Sequence, residues 1–155
     1  LGHALGRPVV FMAKAELFAV PLLGRLIRAC GAYPVRRGAS DREAIRTATA
    51  RLEEGWATGV FLDGTRQKDG RVNNPLPGAA LLAARTGAPL LPVAILNSHR
   101  ALGGGQRLPR LVPIQLRVGE PLPAPTSRRR ADLDATTAEL QRRINALLDQ
   151  GRLHP

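Results

Sequence analysis

The chain is poor in aromatic side chains, with three Phe, one Trp and one Tyr among 155 residues. Its core must therefore come from Leu, Val, Ile and Ala. No aromatic-rich strand is available for stacking bases, and no helix-turn-helix or RNA-recognition signature occurs, so nucleic acid is not an expected partner. Cys30 is the only cysteine, which excludes an intrachain disulfide and a cysteine metal cluster. It lies in the apolar run Leu23, Leu26, Ile27, Cys30, where a buried structural thiol is expected rather than a nucleophile. No run of 18 apolar residues occurs, so no segment is expected to span a membrane. His3, His99 and His154 are the only histidines, and each reads as a surface residue.

Acidic residues are also scarce. There are 12 against 23 basic ones, a net charge of +11, and all the basic residues but Lys14 and Lys68 are Arg. Guanidinium pairs bidentately with phosphate. The balance points to a phosphate-bearing partner, such as an anionic bilayer or a phosphorylated small molecule. A compositional bias raising Arg, Ala, Gly and Pro together explains the same excess equally well. Apolar residues make up 44% of the chain, enough for one domain with its own core.

Residues 7–13 read as a short buried strand. A helix is expected over Glu16 to Ala29, interrupted at Pro21 and closed by Gly31. Leu17, Phe18, Val20, Leu22, Leu23, Leu26 and Ile27 make it apolar on more than one side. That suits a deeply buried helix, the reading preferred here, or one lying in a membrane interface. Ala32 to Val35 reads as a strand. Ser40 to Glu43 forms a capping box for a helix running to Glu54. Gly59 to Leu62 reads as a strand, followed by a polar loop from Asp63 to Asn74. A small-residue helix follows Pro77 and ends at Gly87. Leu90 to Leu96 reads as a strand buried on both faces, and Pro113 to Val118 as a half-exposed edge strand. Ala101 to Arg110 is Gly-rich, and residues 122–131 form a connector with the basic run Arg128-Arg129-Arg130. That run suits either a solvated linker or contact with anionic headgroups. A last helix over 132–150 carries the stripe Leu133, Thr137, Leu140, Ile144, Leu147, Leu148. Strands alternating with helices imply an α/β fold with a mostly parallel central sheet flanked by helices, which binds ligands at the carboxyl ends of its strands.

Phe61-Leu62-Asp63-Gly64-Thr65-Arg66 stands at one such end. Asp-Gly-Thr alone is an ordinary turn, Asp capping its own backbone and Gly taking positive φ. Arg37 follows another strand, so both guanidiniums can converge on one sheet edge as a phosphate clamp. Asp63 can hold one of them, or the neighbouring amides can line an anion nest.

These segments, with Ala13-Lys14-Ala15-Glu16-Leu17, Gly31-Ala32-Tyr33-Pro34-Val35-Arg36-Arg37 and Leu91-Pro92-Val93, resemble the lysophospholipid acyltransferases, in which a Phe-Pro-Glu-Gly-Thr-Arg motif follows a strand. The resemblance covers residues 8–121 and implies a glycerolphosphate acyltransferase-like fold. It implies acyl transfer from acyl-CoA or acyl carrier protein, as substrate rather than cofactor, to the free hydroxyl of lysophosphatidic acid, giving phosphatidic acid. By the same resemblance Arg37 and Arg66 bind the acceptor phosphate. Asp63 supports that site, Gly64 and Thr65 shape its loop, Gly31 and Tyr33 support it, and Pro92 positions the acyl-binding wall. An anionic membrane surface, at the cytoplasmic face of the inner membrane, is the implied setting. A non-catalytic lipid-binding homologue, or an acyltransferase for another lysolipid, is the alternative.

The sequence departs from the family at several points. Leu62 replaces Pro, Asp63 replaces the longer Glu, Arg36 stands where Asp is common, and Leu76 stands where a basic residue often precedes Pro-Gly. The family's catalytic His-x4-Asp is absent: the fifth residue after His3 is Pro8, after His99 it is Gly104, and His154 is next to last. In the family the His takes the acceptor hydroxyl's proton and the Asp orients the ring. No catalytic residue and no metal ligand is therefore assigned within 1–155. The chain opens on Leu1 with its only Met at position 12, so the whole is expected to be an N-terminally truncated acyltransferase domain with the catalytic pair upstream.

Overall fold

The computed structural model describes residues 2, 6, 8–35, 42–64, 67, 69–101 and 110–153. The β-branched and aromatic start of Val9–Lys14 forms β1, the middle strand of a parallel three-stranded sheet. β2 (Tyr33–Val35) pairs with its second half, Met12 opposite Tyr33, and β3 (Ala57–Gly59) with its first half, Val9 opposite Ala57. A separate antiparallel pair is made by β4 (Val93–Leu96) and β5 (Gln115–Val118), Ile95 opposite Leu116. The mixed α/β architecture with a parallel sheet is the one the alternating pattern implies. Leu90 to Leu96 is not a single strand, however. Pro92, fully buried, has no N–H for a ladder, so β4 begins after it and Leu90 makes only an isolated bridge to Leu122.

The segment after β1 is interrupted at Pro21 as expected, and it differs from expectation in its burial. It breaks into a 3-10 turn (Ala15–Ala19) and α1 (Pro21–Ala29), because Pro21 suits a first helical position and not an interior one. It is not deeply buried. Gly24 is the one buried residue of α1, and a Cβ there would collide with the Phe18 carbonyl oxygen. The helix therefore packs on the preceding 3-10 turn by its Gly24 side. The other side faces outward, leaving Leu22 83% and Leu26 60% exposed, with Leu17, Val20 and Leu23 also exposed. Cys30, just past the helix end, is exposed too. Gly31 closes α1 at φ +80°, its N–H bonded to Arg28 O at 2.9 Å. A Cβ at Gly31 would stand 3.0 Å from Val10 Cγ1, so the site needs glycine twice over.

α2 (Arg42–Glu53) links β2 to β3 and packs on both. Its expected capping box rests on Ser40 and Asp41, which lie outside the described residues. β3 is earlier than expected, at Ala57–Gly59 instead of Gly59 to Leu62. The Phe11 ring lies against Gly59, leaving no room for a Cβ there, and the chain leaves the sheet beyond that point. α3 (Gly78–Thr86) has Pro77 as its N-cap and Gly87, at φ +72°, as its C-cap. A short α4 (Ser98–Ala101) precedes the Gly-rich segment, which lies outside the described residues up to Arg110. α5 (Arg130–Leu153) is longer than the pattern indicated and buries the expected stripe at Leu133, Thr137, Leu140 and Leu148. Ser127 and Asp132 hydrogen-bond at its start, and the Thr137 hydroxyl is satisfied by Leu133 O at 2.7 Å.

Three apolar clusters hold these pieces. Val10, Tyr33, Ala44, Ala48 and Leu82 join the sheet to α2 and α3. Leu62, Ala79, Leu122 and Leu140 join the turn after β3 to α3 and α5. Ala94, Leu96 and Leu148 seat β4 on α5. Alanine at the helix contacts lets backbones approach closely, which compensates for the shortage of aromatics. Among the described residues, no helix is long and apolar enough to cross a membrane.

Candidate phosphate-binding site

The turn that leaves β3 is built from Phe61 to Gly64. The Gly64 N–H donates to Phe61 O at 3.0 Å, and Gly64 adopts φ +63°, in the left-handed region that a β-carbon disfavours. A Cβ on Gly64 would stand 3.1 Å from Leu76 Cδ1, the end of an exposed side chain that can give way, so it is the positive φ that selects glycine here. Leu62 drives its side chain into the cluster with Ala79, Leu122 and Leu140. The turn thus gains by side-chain anchoring the rigidity that a proline would have supplied by fixing φ.

The loop beyond this turn is tied shut in three places. At its base, Leu76 N–H donates to Leu62 O at 2.8 Å. One step in, the Asp63 carboxylate accepts the Asn73 N–H at 3.0 Å and the Asn74 N–H at 3.2 Å, one on each oxygen. Further out, Asp69 accepts the Arg71 N–H and the Asn73 side-chain amide, and these bonds hold its carboxyl below the ordinary carboxylate range. α5 grips the same stretch. Val72 N–H donates to Asn145 Oδ1 at 3.0 Å, and Val72 O accepts from both Gln141 Nε2 and Asn145 Nδ2. The Arg71 guanidinium pairs with both oxygens of Asp149.

The result is an open pocket with an apolar edge at Phe61 and Leu62 and a polar edge at Asp63, Gln67, Gly70 and Arg71. Phe61 is 65% exposed, with its ring centroid 6.1 Å from that of Phe11. Because β1 and β3 are parallel, the ends of both strands lie at the same sheet edge. The chain passes directly from β1 into the 3-10 turn and α1 at that edge.

The expected site residues fall into three groups. Asp63 and Gly64 line or shape this pocket. Arg37, Thr65 and Arg66 lie outside the described residues, as do Arg36, His3 and His154. Gly31, Tyr33 and Pro92 are framework positions. Gly31 caps α1, and Tyr33 sits in the core cluster with Val10. Pro92 is buried and accepts the Gly119 N–H at 2.9 Å. Burial pushes the Tyr33 phenol up to about 12, and its hydroxyl has no hydrogen-bond partner among the described residues. Both described hydrogen bonds of Asp63 go to main-chain amides of its own loop. The sequence reasoning did not single out Arg71, Val72, Asn73 and Asn74, or the α5 residues that hold them. The pair Asn73-Asn74 before Pro75 was the one local hint of a structured return. Among the described residues, no cluster of three metal-ligating side chains occurs.

A family model described as Acyltransferase matches residues 1–96, more than half of the chain. The 1-acyl-sn-glycerol-3-phosphate acyltransferase of Bacillus subtilis (strain 168) is 34% identical over 113 residues, which cover 72% of this chain and 53% of that protein. The chloroplastic 1-acyl-sn-glycerol-3-phosphate acyltransferase BAT2 of Brassica napus is 28% identical over 104 residues, 66% of this chain and 30% of its own length. The chain thus spans about a third to a half of the curated relatives it matches. The crystal structure of the LPA acyltransferase PlsC from Thermotoga maritima superposes with a TM-score of 0.70 at 25% identity, covering 93% of this chain and 57% of that one. The matched segment 1–96 contains the β3 turn and the Asp63-closed loop, and on that match the chain belongs to the acyltransferase family.

Proposed function

We propose that this chain carries the acceptor-binding part of an enzyme that moves an acyl group from acyl-CoA or acyl carrier protein to lysophosphatidic acid, giving phosphatidic acid. The observation that carries the reading is the rigid loop after β3. Asp63 and α5 hold its described residues in place, beside the sheet end where this fold class binds ligands, and Thr65 and Arg66 follow Gly64 directly in the sequence. The names of the relatives supply the substrate class.

In the reaction, the acceptor's free hydroxyl attacks the thioester carbonyl. The carbon–sulfur bond breaks, and the thiol leaves carrying the proton a base has taken from the hydroxyl. Arg66 and Arg37 bind the phosphate of the acceptor, and Thr65 shapes the loop. Asp63 acts on them through the backbone it closes, and Pro92 stiffens the entry to β4. The base is the His of a His-x4-Asp pair, which this sequence does not contain. The acyl donor is a substrate, and no cofactor is required.

The acceptor lies in a membrane, for which the cytoplasmic face of the inner membrane is the setting proposed, and α1 supports contact with an anionic bilayer. Its apolar side faces outward through Leu22 and Leu26, it carries Arg25 and Arg28, and it has no acidic residue. That is the arrangement of an interfacial helix. The test is acyl transfer from acyl-CoA to lysophosphatidic acid by the protein expressed from its complete gene, beside the 155-residue chain alone. Turnover by the complete product and not by the chain is expected. Binding of lysophosphatidic acid without turnover in either would favour a non-catalytic lipid-binding homologue.

A further inference from the structure

The family model ends at residue 96, yet the loop it contains is held by residues far beyond it. Gln141, Asn145 and Asp149 are spaced four apart and lie on one side of α5. Asn145 takes both polar groups of the Val72 backbone, at 3.0 Å each, and Gln141 adds a second donor to Val72 O at 2.9 Å. Asp149 pairs bidentately with Arg71. The Val72 side chain packs in the cluster of Leu62 and Leu140. The main chain at Val72 is therefore fully engaged, one residue before Asn73 gives its N–H to Asp63.

We infer that Gln141, Asn145 and Asp149 are positioning residues for acceptor binding. α5 fixes the returning limb of the loop at Arg71 and Val72, and Asp63 ties the next two residues, Asn73 and Asn74, back to the end of the turn. The inference rests on the reading of this loop as the phosphate site. The chemistry suits positioning better than support of the fold. The stripe Leu133, Leu140 and Leu148 already buries α5 against the body, while the contacts to Val72 are part-buried, the Arg71–Asp149 pair is exposed, and all of them run to one short segment.

The experiment uses the protein expressed from its complete gene, with Asn145→Ala and Gln141→Ala made separately. Acceptor KM is expected to rise about tenfold for Asn145→Ala, which loses two hydrogen bonds, and about threefold for Gln141→Ala, which loses one. kcat and the acyl-donor KM should stay within about twofold, because a loop clamp acts on acceptor binding alone. Hydrogen exchange at Val72, Asn73 and Asn74 should accelerate in both variants. Unchanged acceptor KM with a folded protein overturns the inference, and so does equal loss toward donor and acceptor. Should Asn145→Ala fail to fold, Gln141→Ala still decides. Should the wild-type protein not use lysophosphatidic acid, the functional reading fails separately. Exchange at the three amides then judges the clamp: unchanged protection in the variants refutes it.

Discussion

Replacing Asp63 tests the site at its best-defined point. Its two oxygens each accept one main-chain N–H, from Asn73 and Asn74, across ten and eleven residues of loop. Asp63→Ala removes both bonds and leaves Leu62–Leu76 and the α5 grip in place. A hydrogen bond to a charged acceptor contributes about 1.5–3 kcal/mol where water is excluded. Asp63 is only half-buried, so about 1 kcal/mol for each bond is the better scale. The loss of about 2 kcal/mol shifts loop closure by about thirtyfold. Acceptor affinity falls with the closed fraction, so acceptor KM should rise roughly tenfold while the acyl-donor KM stays put. Asp63→Asn keeps one acceptor oxygen and sets an NH2 group against the other amide, so it should fall between wild type and Asp63→Ala. Asp63→Glu keeps the charge and restores the family residue, and most activity should survive. The assay is acceptor titration at saturating acyl-CoA with the complete gene product, paired with hydrogen exchange at Asn73 and Asn74. A wild-type acceptor KM in a folded Asp63→Ala protein would refute the role given to this carboxylate.

Three further outcomes are expected. Arg66→Ala should raise acceptor KM strongly, since the proposed phosphate contact would be lost; an unchanged KM removes Arg66 from the site. Tyr33→Phe should be neutral or stabilising by up to about 1 kcal/mol in urea unfolding, because it removes a buried hydroxyl with no described partner. The phenol's pKa is raised from 10.0 to about 12 in the fold, so the native state binds the proton more tightly than the unfolded one. Wild-type stability should therefore decline as pH rises from about 10 to about 12, and the Tyr33→Phe protein should lack that decline; an identical alkaline profile in both would contradict the burial argument. Leu22→Ser with Leu26→Ser should weaken binding to phosphatidylglycerol vesicles while leaving the melting temperature within a few degrees, as both side chains are exposed; unchanged vesicle binding excludes this face.

Local signals were legible wherever the physics was local. Pro21 marked an interruption of the helical stretch, Gly31 and Gly87 marked helix ends through positive φ, and the stripe on α5 marked its buried side. The parallel sheet followed from alternating elements. What pattern could not reveal was direction and partnership. The apolar content of α1 read as burial, yet the Gly24–Phe18 approach turns those leucines outward. β3 was placed late because Ala57 and Thr58 carry little apolar signal, while the stronger run Val60 to Leu62 is the turn and its anchor. Asp63 was legible as the carboxylate of a turn after a strand, but its partners ten residues on were not. Gln141 and Asn145 lie about seventy residues from Val72, a distance at which no spacing rule operates.

The central claim is that the loop after β3 recognises a phosphate on the acyl acceptor. The most direct measurement compares lysophosphatidic acid with monoacylglycerol, the same acceptor without its phosphate, using acyl-CoA and the complete gene product. The account predicts turnover of lysophosphatidic acid and a loss of at least about a hundredfold in kcat/KM for monoacylglycerol, the scale of one charge-assisted phosphate clamp. Equal use of both acceptors would contradict it.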